Sequence, residues 1–115
     1  MNDLNIKIAE HFGTEKQMVV MIEELAELTQ AATKWLRIQQ HGQTVRKSEA
    51  EVMDNLIEEL ADVSIMTDQI KHLLGISEKT FHEIRREKIQ RTADYIEKEK
   101  KAHEPDHKSN TQSKL

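Results

Sequence analysis

The chain has 115 residues, of which 37% are hydrophobic, 3% aromatic and 33% charged, with three glycines, one proline and no cysteine. This predicts one small, almost wholly helical domain with an aliphatic core, and it excludes disulfides, thiolate catalysis and zinc–thiolate sites. A formal net charge of −4 argues against a nucleic-acid-binding surface spread over the domain. The lack of a signal-peptide pattern or an apolar run of membrane-spanning length predicts a soluble, cytoplasmic chain with no membrane partner.

A first helix is predicted from Asp3 to Phe12, with Leu4, Ile8 and Phe12 on one face and Gly13 stopping it. Thr14, with Gln17 three residues on, forms a capping-box pattern that opens a second helix. Its expected core stripe is Met18, Met21, Ile22, Leu25, Leu28, Thr29, Ala32 and Leu36, and it should reach about Gln40. Gln39 to Lys47 is polar and contains a glycine, so it reads as a loop, in which Arg46 and Lys47 are positioned to act as a lid over phosphate.

Ser48 and Glu51 form a second capping box, starting a third helix whose stripe is Val52, Leu56, Leu60, Val63, Thr67, Ile70 and Leu74. Gly75 is the expected C-terminal cap. Ile76, Ser77 and Phe81 read as staple, cap and staple partner of a fourth helix, with Phe81, Ile84, Lys88, Thr92 and Ile96 on one stripe, running toward about Lys101. No periodicity remains from His103 on, so we expect a domain over residues 1–102 and a disordered tail over 103–115. The two central helices, at about 25 residues each, would be about 38 Å long, longer than a compact chain of this size. The predicted fold is therefore all-α, an antiparallel bundle of about four helices completed by a dimer or higher homo-oligomer that covers the remaining apolar flanks.

One acidic segment occurs twice: Ile22-Glu23-Glu24-Leu25-Ala26-Glu27-Leu28 and Ile57-Glu58-Glu59-Leu60-Ala61-Asp62-Val63. Each copy sets two acids three residues apart, Glu24 with Glu27 and Glu59 with Asp62, on adjacent parts of one helix face. A Glu-rich helix is usually just a solvated face. Here, however, no Lys or Arg occurs from Gln17 through Thr33 or from Ser48 through Ile70, whereas the fourth helix sets Glu87 against Arg91 and Glu97 against Lys101. The four acids also lie beside the apolar stripes rather than opposite them, Glu24 and Glu27 with Val20, Ala31 and Trp35, Glu59 and Asp62 with Asn55 and Met66. Glu23 and Glu58 point further away. Carboxylates so placed can converge between packed helices as an oxygen-only site, the kind Mg²⁺ or Mn²⁺ prefers. A di-iron site is not expected, because the only Glu-x-x-His spacing, Glu104 to His107, falls in the tail.

These residues resemble the MazG-like all-α nucleotide pyrophosphohydrolases, relatives of the dimeric dUTPases and phosphoribosyl-ATP pyrophosphohydrolases. The signature of that family, Glu-Glu-x-x-Glu on one helix and Glu-x-x-Asp on the next, reads here as Glu23-Glu24-Leu25-Ala26-Glu27 and Glu59-Leu60-Ala61-Asp62. The resemblance covers roughly residues 14 to 95. It implies an enzyme that binds Mg²⁺ through Glu24, Glu27, Glu59 and Asp62 and hydrolyses a nucleoside triphosphate to the monophosphate and pyrophosphate, as a homodimer or homotetramer. Glu23, Glu27 and Glu58 are candidates for the catalytic base. Lys88 and Arg91 are candidates for phosphate contacts, although Thr92 stands where many relatives carry Asn. Trp35, the single tryptophan, is a candidate for stacking on the base or, equally, for partial burial at a subunit interface. A dUTPase-like or phosphoribosyl-ATP-cleaving enzyme, or a non-catalytic helical dimer with an acidic binding face, is the alternative.

Overall fold

The computed structural model describes residues 2–41 and 48–103. They form four helices, α1 (Asp3–Phe12), α2 (Thr14–His41), α3 (Glu49–Leu73) and α4 (Glu78–Ala102), with no strand among the described residues. No helix among them is long and apolar enough to cross a membrane. The chain divides into a unit over Met1–Ile76, which holds α1 to α3, and a second unit from Ser77 on, which holds α4. The expected lid residues Arg46 and Lys47 and the expected tail from residue 104 lie outside the described residues.

Local signals place the helix ends. Asn2 caps α1 by accepting the Leu4 N–H at 2.8 Å. Gly13 sits at φ +87°, where a side chain would be strained; its N–H donates to the Ala9 carbonyl and its own carbonyl accepts from the Gln17 N–H. One residue thus ends α1 and starts α2. The expected capping box at Thr14 and Gln17 gives way to this arrangement, because the Gln17 side chain turns instead toward α3. The Ser48–Glu51 box forms in full, each side chain accepting from the other's backbone N–H. At the far end of α3, Gly75 at φ +67° donates to the His72 carbonyl while Ile76 donates to that of Lys71, closing a Schellman motif. Ser77 then caps α4 through the Thr80 N–H at 3.1 Å.

Helices α2 and α3 run antiparallel. Near one end Gln17 Nε2 donates to Gln69 Oε1 at 2.7 Å, and near the other Gln39 Nε2 donates to Glu49 Oε1 at 2.8 Å. The first bond belongs to a polar ladder: Gln69 Nε2 donates to Asn5 Oδ1 at 2.7 Å, and Asn5 Nδ2 to the Ile65 carbonyl at 3.3 Å. Gln69, 2% exposed, and Gln17 are both buried, and the ladder satisfies amides that would otherwise be costly there. It also ties α1 to the pair, helped by His72 Nε2 at 2.9 Å from Glu10 Oε1. Ala9, Ala31, Val52, Met66 and Ile70 form the apolar core.

The faces differ from those expected. On α2 the inward row is Gln17, Glu24, Leu28, Ala31 and Trp35, about a quarter turn from the predicted stripe, and Ile22, Leu25, Thr29 and Leu36 are exposed. On α3, Val52 and Ile70 are buried as expected, but Leu60 and Leu74 are exposed. On α1, Ala9 is buried while Leu4, Ile8 and Phe12 face out. The apolar arcs are wider than one helix contact, and small or paired polar residues permit the closest approach. In α4 no residue is buried; Phe81 and Thr92 are half-buried, and Ile84, Lys88 and Ile96 are exposed. Glu97 finds Lys100 at 3.5 Å, one residue short of the Lys101 expected.

Replacing Gln17 by Ala strands the buried Gln69 acceptor. The Gln17→Ala variant should lose about 1–3 kcal/mol, read as a lower urea midpoint with unchanged slope. An unchanged midpoint would show that the ladder is dispensable.

Candidate metal centre

The antiparallel register set by Gln17 and Gln69 brings the two copies of the acidic segment together. Stepping inward from that bond, Glu24 comes level with Asp62, and Glu27 with Glu59. Gln17, Glu24 and Ala31 on α2 and Val52, Glu59 and Met66 on α3 follow one another every two turns along the facing rows. Glu24 and Glu59 therefore occupy the helix contact itself, and Glu27 and Asp62 its flank. One carboxylate oxygen each from Glu24, Glu27 and Glu59 lie within 4.8 Å of one another. Glu24, Glu59 and Asp62 are half-buried and Glu27 is exposed. Glu24 Oε2 and Glu59 Oε2 are buried without any hydrogen-bond partner.

The electrostatics follow from this crowding. Burial pushes the Glu24 carboxyl up to about 7, with further upward pressure from Glu27, Asp62 and Glu59. Glu59 is raised as well, first by burial and then by the charges of Glu27 and Asp62, while a hydrogen bond with Glu24 acts in the opposite direction. Acids held against their ionised form in this way mark functional-site candidates.

The other sequence candidates are spread more widely. Glu23 and Glu58 are exposed on the outward side of their helices, so of the three proposed bases only Glu27 belongs to the cluster. Asp62 is outside the 4.8 Å group of three, although its charge is felt by both Glu24 and Glu59. Trp35 is half-buried on the same row as Glu24 and Ala31. Lys88 and Arg91 are exposed on α4, in the second unit. Sequence reasoning had Glu24 and Glu59 beside the core. The regular two-turn spacing of Gln17, Glu24 and Ala31 was the signal for a place within the contact.

A divalent cation fits this donor set. The donors are all carboxylate oxygens, two of them are orphaned, and the flanking segments of α2 and α3 carry no Lys or Arg. Oxygens sharing one octahedral Mg²⁺ stand about 3–4 Å apart, which a small side-chain movement reaches from the observed spread. The same chemistry suits Mn²⁺.

The chain matches no protein-family model, no curated protein and no solved structure.

Glu24 has its carboxyl raised from 4.5 to about 7 in the folded state, so its contribution to stability is present in full below pH 4.5 and is lost as pH rises through 7. In EDTA, Glu24→Gln should flatten the fall in melting temperature between pH 5 and 8 and melt higher than the intact chain at pH 8. A parallel fall in both proteins would remove Glu24 as its source. Millimolar Mg²⁺ should raise the melting temperature of the intact chain at pH 8 and leave that of Glu59→Gln almost unmoved.

Proposed function

We propose that this chain is a Mg²⁺-dependent hydrolase that converts a nucleoside triphosphate to its monophosphate and pyrophosphate, working as a helical homo-oligomer. The observation that carries the reading is the pair of orphaned, buried oxygens of Glu24 and Glu59, contributed by two copies of one segment to a cluster with Glu27. The substrate class rests on the resemblance of the two motifs to the pyrophosphohydrolases.

In this reading Glu24, Glu27, Glu59 and Asp62 hold the cation. When bound, it supplies neutralisation of phosphate charge and acidification of water. A water oxygen forms a bond to the α-phosphorus, the bond from that phosphorus to the α–β bridging oxygen breaks, and pyrophosphate leaves. The proton from water passes to Glu27, whose carboxylate stands at the exposed edge of the cluster. Glu23 and Glu58, facing outward, are the alternative acceptors. Trp35 lies about 12 Å of helix rise beyond Glu27, on the inward row, and offers its ring to the nucleobase.

The test is pyrophosphate release from a panel of standard and modified nucleoside triphosphates, with Mg²⁺ and with EDTA. Release should require the metal and fall at least about a thousandfold in Glu59→Gln and Asp62→Asn, while Glu23→Gln and Glu58→Gln stay close to the intact enzyme. Trp35→Ala should raise KM about tenfold with little change in kcat. A folded, Mg²⁺-binding chain that releases no pyrophosphate from any of these nucleotides would overturn the reading.

A further inference from the structure

About a quarter turn from the carboxylate contact, each of the paired helices carries a second strip: Met18, Ile22 and Leu25 on α2, and Met53, Ile57 and Leu60 on α3. The two strips have the same three residue types at the same spacing, so the internal repeat extends beyond the acids to this face. Five of the six are exposed, Ile22 at 61% and Ile57 at 56%. Because α2 and α3 are antiparallel, a quarter turn in the same sense on each helix arrives at the same side of the pair. The strips therefore lie side by side as one face. Its next positions along the helices, Thr29 and Ala32 on α2 and Ser64 and Thr67 on α3, are also uncharged. In a chain with 33% charged residues, an open face of this kind marks a contact.

We propose that this face joins two copies of the chain, stacked face to face as a bundle of four helices. The repeat identifies the occupant. It gives the face a local two-fold axis between α2 and α3, so the pattern of side chains on one copy complements the same pattern on another, as an isologous contact requires. A charged partner would bury unpaired ions on a strip that offers none in return. From Met18 to Leu36 the face is about 27 Å long, and two packed helices are about 18 Å wide, so its projection is on the order of 500 Å². The accessible area of such a corrugated face exceeds its projection and approaches the roughly 800 Å² that each partner buries in a standard complex. Glu27 and Asp62 lie on the opposite flank of the pair, so this stacking leaves the open side of the carboxylate cluster free. The inference stands on the fold and does not need the proposed activity.

The absence of cysteine makes single-thiol variants clean reporters. The intact chain should sediment at twice its 13.4 kDa mass, and Leu25→Lys with Leu60→Lys should bring it to the single-chain mass at unchanged helicity. If the chain is a tetramer, the same pair should reduce it to a dimer, which supports the face equally. Ile22→Cys and Ile57→Cys, treated with a short bis-maleimide, should give covalent dimers, whereas Glu23→Cys and Arg86→Cys should not. If the lysine variant fails to fold, the cross-linking pattern decides. Three results would overturn the proposal: a single-chain mass for the intact protein at about 100 µM, the range in which a contact of this size holds; a dimer that survives both lysines; or an Ile57→Cys thiol shielded from alkylation within a monomer, which would place another segment of the same chain there.

Discussion

Two carboxylates in the contact between α2 and α3 set the terms for the rest of the first unit. Glu24 and Glu59 stand where a helix pair normally places aliphatic side chains, with buried oxygens that no group of the protein satisfies. Ionised together, with Glu27 and Asp62 beside them, they repel, and burial adds a desolvation cost that raises both carboxyls. What holds the helices against that repulsion lies elsewhere along them: Val52, Met66, Ile70 and Ala31 in the core, and the amide ladder through Gln17, Gln69 and Asn5. A local arrangement that opposes folding while the surroundings support it is the usual mark of a functional site.

The ladder sets register as well as adding stability. A buried glutamine pair tolerates little sliding, because a shift of one residue would leave two amides unpaired in the core. That constraint near one end of the pair fixes which acids meet near its middle. The internal repeat then makes the meeting nearly symmetric, with Glu24 and Glu59 in equivalent places on their two helices. A duplicated segment in an antiparallel pair is a simple way to concentrate like charges at one point.

Helix ends were legible in the sequence because their causes are local. Gly13 and Gly75 take positive φ, Ser48 and Glu51 satisfy each other's backbone, and Ser77 caps α4 within three residues. The faces were less legible. Periodicity located the apolar arcs of α2 and α3, but Ile22, Leu25 and Leu60, expected inside, are exposed, and Gln17 and Gln69 are among the most buried residues. The acids were legible from the repeat and from the lack of nearby basic residues, yet the place of Glu24 and Glu59 in the contact itself, rather than beside it, was not.

By itself, the sequence determined four helices, their boundaries, and a pair of acidic segments left without cations on their own helices. These follow from interactions within a few residues, where capping, φ preference and i to i+4 spacing act. Only the tertiary structure decided which arc of each helix turns inward, which three carboxylates converge, and which oxygens remain unpaired. Those outcomes depend on the register and rotation of one helix against another, which contacts distant in sequence choose among several apolar and polar arcs of similar merit.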